Sequence, residues 1–165
     1  MRTRRNNRNA FDSLLEDVQW IMEKENNETV LMEKVPATGA YALKYLQKRG
    51  LTKQDIIKWK IGYCFSGEYR NRIIIPSFDE DGDCSYFIAR SYTGDSYKYK
   101  NPRASKDVVF NELFVDWNKD LTIVEGVFDA LVAGNAVPIL GSTLRKGSDL
   151  LRKIVRNDTP IYVAL

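Results

Sequence analysis

The apolar positions Leu14, Leu15, Val18, Ile21 and Met22 recur at intervals of three and four along the first part of the chain. That spacing keeps side chains on one face of a helix. Ser13 and Glu16 stand three apart, as the two ends of a capping box do. Together these signals predict a helix over residues 11–26. Acidic and amide residues follow as far as Pro36 and read as a linker. Thr38 is placed to cap a second helix carrying Tyr41, Ala42, Tyr45 and Leu46, which Gly50 stops. Lys48 and Arg49 then occupy its last turn, where the helix dipole favours cations. Thr52 with Asp55 restarts a short helix that runs through Trp59.

After this helical third the period shortens. Arg72-Ile73-Ile74-Ile75-Pro76 is apolar and β-branched, and reads as a strand. The run Asp79-Glu80-Asp81-Gly82-Asp83 reads as a turn, and residues 86–92 as the returning strand of a hairpin. Asp79, Asp81 and Asp83 have the spacing that opens a calcium loop. The loop's last ligand, a bidentate Glu, would fall on Arg90, which excludes that reading. Tyr97-Lys98-Tyr99-Lys100 alternates and predicts a third strand.

The last third alternates strand and helix. Strands are expected at 121–124, 136–140 and 161–165, and helices at 127–133 and 146–155. This order at this spacing implies a parallel sheet with right-handed crossovers. Ligands in such sheets sit at the carboxyl ends of the strands.

Composition narrows the chemistry. The chain has 165 residues, 44% of them hydrophobic, and a net charge of +3. No apolar run approaches the roughly 18 residues of a membrane span, and the Arg-rich start lacks the apolar core of a secretory signal. Cys64 and Cys84 are the only cysteines and there is no histidine, so no zinc site is expected within this sequence. The expectation is a reduced, cytoplasmic protein. The positive charge is clustered. Arg2, Arg4, Arg5 and Arg8 form a basic arm, read either as a solvated tail or as a phosphate contact. Arg70, Arg72, Arg90, Lys98, Lys100, Arg103 and Lys106 form a second group.

Glu125 directly follows the first expected parallel strand, at the edge where chemistry is expected. Asp129 lies one helical turn further on and is placed to reach the same edge. Two readings stand on spacing alone. Glu125 caps the next helix, or it meets a cation as a catalytic carboxylate.

The stretch Leu121-Thr122-Ile123-Val124-Glu125-Gly126-Val127-Phe128-Asp129-Ala130-Leu131 resembles the glutamate motif of the TOPRIM domain. That domain is shared by DNA primases, topoisomerases and some nucleases and recombination proteins. Gly141-Ser142-Thr143-Leu144 resembles the segment after the second strand in primases. Five shorter stretches match primase motifs in the right order: Tyr45 to Leu51, Trp59 to Tyr63, Asn71 to Pro76, Ala89-Arg90 and Lys98 to Pro102. The resemblance is thus to the catalytic core of bacterial and phage-type DNA primases, over roughly three-quarters of the chain.

That resemblance implies an α/β architecture: a helical lead over residues 1–36, a small basic mixed α/β subdomain over 37–118, and part of a TOPRIM sheet over 119–165. It implies synthesis of RNA primers from nucleoside triphosphates on single-stranded DNA, in association with a replicative helicase, with template and primer held in a cleft before the TOPRIM domain. Mg²⁺ or Mn²⁺ would assist nucleotidyl transfer. Arg72, Arg90, Lys98, Lys100 and Asn101 carry over as nucleic-acid or nucleotide contacts, and Glu125 and Asp129 as catalytic carboxylates, with Glu125 either a metal ligand or a proton-transfer group. Tyr92, Tyr97 and Tyr99 either stack on bases or pack the sheet. The family's Asp-x-Asp pair would follow Leu165, so the sequence is expected to hold only part of the metal site and to be inactive by itself. The zinc ribbon usual in the family has no counterpart in it. Two rivals remain: a different TOPRIM enzyme, a nuclease or topoisomerase, or a non-catalytic module that binds single-stranded DNA or a replisome protein.

Overall fold

The computed structural model describes residues 18–20, 22–25, 28–31, 37–141 and 143–165. The chain divides into two compact units, Met1–Pro76 with Phe87–Pro102, and Ser77–Tyr86 with Arg103–Leu165.

The first unit holds most of an antiparallel sheet in the order β1-β4-β5-β6, formed by Gln19–Trp20, Gly62–Cys64, Arg72–Phe78 and Cys84–Ser91. β2 (Met22–Glu25) and β3 (Glu28–Leu31) pair separately, in a register that closes on Glu25 and Glu28. The helix expected over 11–26 is therefore corrected at 19–20 and 22–25, and the linker after it at 28–31, where strands stand instead; residues 32–36 lie outside the described residues. Gln19 and Trp20 pair with Tyr63 and Gly62, and Met22–Glu25 pairs antiparallel with Glu28–Leu31. Residues 11–17 lie outside the described residues. The physical reason is that strand-forming residue types such as Trp20, Thr29 and Val30 compete with the helical period. Pairing with a strand distant in sequence then overrides a local helical period.

Helix α1 (Ala37–Lys48) buries Gly39, Ala42 and Leu46. Thr38 falls inside its first turn instead of capping it, and its hydroxyl bonds the Tyr63 phenol at 2.9 Å. Gly50 stops the helix at φ +84°, a conformation that favours glycine. Helix α2 (Lys53–Lys58) carries the expected capping box. The Thr52 amide donates to the Asp55 carboxylate at 2.8 Å, and the Asp55 amide donates to the Thr52 hydroxyl at 3.2 Å.

In β5 the six residues from Arg72 to Ser77 are all buried. On the side facing β4, pairing ends at Ile74, two residues before Pro76. The acidic run organises the following turn. One oxygen of Asp79 accepts from the Asp81 and Asp83 amides at 3.1 and 3.0 Å. The third strand expected at 97–100 reduces to one bridge, Arg90 to Tyr99, with backbone bonds on either side.

The second unit contains the expected parallel sheet, in the order β8-β7-β9: Ala136–Pro138, Leu121–Val124 and Ile161–Ala164. Helices α3 (Val127–Val132) and α4 (Asp149–Asn157) make the crossovers. Alternation along the strands sorts the core into two clusters. Leu121, Ile123 and Val137 pack with Leu150 and Ile154 of α4, while Val124 and Ala136 pack with Ala130 of α3. β9 pairs β7 along one edge, and all four of its residues are exposed. Among the described residues no helix is long and apolar enough to cross a membrane.

Candidate functional site

The parallel register sets what lies at the carboxyl edge of the sheet. Val124 of β7 is level with Pro138 of β8 and Ala164 of β9, and Glu125 is the next residue. Its carboxylate is exposed and takes no hydrogen bond or ion pair from the described residues. Gly126, not Glu125, is the N-cap of α3. The Asp129 carboxylate folds back over that glycine: a Cβ at position 126 would lie 2.5 Å from an Asp129 oxygen. Both carboxylates are thus held within one helical turn of the strand end. Magnesium commonly takes one or two protein carboxylates and completes its shell with substrate and water. Glu125 and Asp129 fit that share, while no group of three His, Cys, Asp or Glu converges among the described residues.

A cleft of about 800 Å³ opens beside this edge, lined in part by Lys106, Ile139, Thr143, Arg145 and Lys146. The Ile139 amide donates to the Val124 carbonyl at 2.9 Å, which ties the cleft wall to the strand that carries Glu125. Two amides at the nearby N-terminus of α4 are already bonded to side chains. Asp107 accepts from the Asp149 amide at 2.8 Å, and Ser148 from the Leu151 amide at 3.3 Å. Lys106, Arg145 and Lys146 are exposed and leave the cleft cationic.

In the first unit the basic residues have unequal roles. Arg72 is buried, and its guanidinium donates to the Tyr97 carbonyl at 3.1 Å and lies 3.7 Å from the Asp95 carboxylate. It tethers the 95–98 loop. Asn101 likewise holds backbone, accepting from the Ala89 amide at 3.4 Å. Arg72→Ala is therefore expected to cost about 1.5–3 kcal/mol, the worth of charged hydrogen bonds, and to speed amide exchange over 95–100. Denaturant unfolding and hydrogen exchange measure both, and unchanged protection would contradict the tether.

Lys98 is exposed. Lys100 reaches the Glu68 carboxylate at 3.3 Å and lies over the Tyr69 ring. Burial pushes the Tyr69 phenol up, and the Glu68 charge adds to this. Burial also raises the Tyr92 phenol, with Tyr63 and Cys64 adding to the effect. Arg90 donates to the Tyr45 phenol oxygen at 3.0 Å, and its guanidinium stacks 4.7 Å from the Tyr99 ring centroid. Tyr97 and Tyr99 are exposed, at 79% and 45%.

No protein-family model and no curated protein matches the chain. Solved structures do. The catalytic core of the primase DnaG superposes with a TM-score of 0.65 at 22% identity, over 78% of this chain and 55% of that one. The Escherichia coli primase catalytic core gives 0.65 at 21%, over 78% and 56%. The DnaG primase catalytic domain bound to single-stranded DNA gives 0.63 at 20%, over 78% and 53%. The chain has the primase catalytic-core fold. It spans about half the length of these structures.

Within that primase-type fold, the expected site residues fall into two groups, each on its own unit. Arg72, Arg90, Lys98, Lys100 and Asn101 belong to the first unit, and Glu125 and Asp129 to the second. Arg145 and Lys146 were not singled out in the sequence, although they follow β8, and basic residues just past a parallel strand end are a readable signal. The bond from Arg90 to Tyr45 crosses 45 positions, so the motif at 45–51 does not reveal it.

Proposed function

We propose that this chain is the forward part of a primase-type core, which makes RNA primers on single-stranded DNA by metal-assisted nucleotidyl transfer. The observation that carries the reading is Glu125: an exposed carboxylate with no partner among the described residues, at the end of the central parallel strand of a primase-type fold. In this reading residues 119–165 are part of a TOPRIM domain, and 37–118 handle the nucleic acid. Lys98, Lys100 and Arg90 contact template phosphates, with Arg72 and Asn101 holding the segment that presents them. Lys106, Arg145 and Lys146 suit the triphosphate of an incoming nucleotide. Glu125 and Asp129 would hold Mg²⁺ or Mn²⁺, which when bound neutralises charge on the reacting phosphates. The RNA primer and a replicative helicase are the further partners this reading implies.

Manganese tests the carboxylate edge without any need for turnover. Titrated Mn²⁺ is expected to broaden the amide resonances of residues 124–130 and 139–141 first. Glu125→Gln should abolish that selectivity, and Gly126→Ala should weaken it by displacing Asp129. Broadening that ignores this edge, or survives Glu125→Gln, would remove the metal assignment.

A further inference from the structure

We infer that Asp107 is a positioning residue that sets the spacing of the cations in the cleft beside the carboxyl edge, and so makes that cleft prefer a triphosphate to a single phosphate group. This rests on the reading that the cleft takes a nucleotide's triphosphate, and it gives a role to an acidic side chain that the reading leaves unused. The cations come from two segments of the lining, Lys106 from residues 104–108, and Arg145 and Lys146 from residues 143–148. Neither segment is helix or strand, so side-chain bonds must fix them. The Ser105 hydroxyl accepts from the Asp107 amide at 3.1 Å, which folds 105–107 into a turn with Lys106 at its apex. The Asp107 carboxylate accepts from the amide of Asp149, the first residue of α4, at 2.8 Å. That bond crosses 42 positions of sequence. The second segment reaches the same helix end. The Ser148 amide donates to the Arg145 carbonyl at 3.0 Å. Arg152 donates to the Gly147 carbonyl and, at 3.1 Å, to the Asp149 carboxylate. Asp107 thus joins the segment of Lys106 to the one that carries Arg145 and Lys146.

Asp107 is exposed and itself lines the cleft. Through space, its negative charge opposes an anion bound there. Its bond acts the other way. A polyphosphate that spans both segments gains fully from the second contact only when their spacing is held, because that contact is then intramolecular. Orthophosphate has a single phosphorus and gains little from the spacing. Charge and bond therefore have opposite signs for a triphosphate, and substitutions at one position separate them.

The test is calorimetric titration of the whole chain with tripolyphosphate and with orthophosphate at matched ionic strength. Asp107→Ala removes both charge and bond. It is expected to weaken tripolyphosphate about fivefold, the worth of one bond at a helix end, while orthophosphate binds at least as tightly as to wild type. Asp107→Asn removes the charge but keeps an acceptor for the Asp149 amide, so it should hold tripolyphosphate at least as tightly as wild type. Lys106→Ala should weaken tripolyphosphate in the wild-type background and add little to Asp107→Ala, as coupled positions do. Charge alone dictates the reverse for Asp107→Ala, and tripolyphosphate binding at or above the wild-type level in that variant overturns the inference. An equal loss for both anions also overturns it, since that marks a general effect on the fold. So does a loss in Asp107→Asn as large as in Asp107→Ala. If wild type takes tripolyphosphate no more tightly than orthophosphate, the underlying reading of the cleft falls, and the inference with it.

Discussion

Glu125→Gln is expected to remove nearly all ribonucleotide incorporation on single-stranded DNA by the full-length gene product, with its unfolding midpoint almost unchanged. The carboxylate is exposed and has no partner among the described residues, so the fold gains little from its charge. Surface substitutions of that kind stay within about 0.5 kcal/mol. The chemistry depends on the charge. A metal ligand that helps neutralise a transferring phosphoryl group contributes several kcal/mol, which converts to about three powers of ten in rate. Glutamine keeps the shape and loses the charge, so activity and stability part company. If Glu125 acted as a cap, the pattern would reverse, with about 1 kcal/mol of stability lost and activity kept. Primer synthesis and thermal unfolding measured on the same preparation separate the two.

Lys153→Met is expected to destabilise the second unit by about 3 kcal/mol. Glu112 and Lys153 form an ion pair with side chains only 4% and 13% exposed, and Glu80 joins from the hairpin turn at 3.4 Å. Burial pulls the Lys153 ammonium down, but the bond and charge of Glu112, with Glu80 adding, hold it above its ordinary value. Burial pushes the Glu112 carboxyl up, and Lys153 offsets only part of that. The asymmetry is physical, since the lysine has two carboxylates and Glu112 has one ammonium in place of nearly all its water. Removing the lysine leaves a buried carboxylate alone, the costly half of such a pair, at about 3–5 kcal/mol. The low end applies because Lys153 is not fully buried. Lys153→Met/Glu112→Gln should recover much of the loss. Urea unfolding of the two variants beside wild type checks this, and a single variant within about 1 kcal/mol of wild type would contradict it.

The parallel sheet was legible because each element states its own rule. Short, largely apolar runs of four or five residues alternate with helical stretches, the first ended by Gly134, and that order permits few topologies. Glu125 was legible for the same reason, as the residue after the central strand. The start of the chain was misread in part because β1 takes its hydrogen bonds from Gly62 and Tyr63, more than 40 positions away. The basic residues were found as a group but not sorted. Arg72 and Arg90 look alike in sequence, yet burial and the Tyr97 carbonyl make one a tether, while Tyr45 and Tyr99 make the other a surface group. Partners from distant segments decide such roles, and no local period reports them.

The most direct measurement of the central claim is synthesis of short RNA on a single-stranded template by the full-length gene product, with ribonucleotides and Mg²⁺ or Mn²⁺. The account predicts metal-dependent ribonucleotide chains complementary to the template, lost in Glu125→Gln. Metal-dependent nicking or relaxation of supercoiled DNA without such chains, or salt-sensitive strand binding with no chemistry at all, would contradict it.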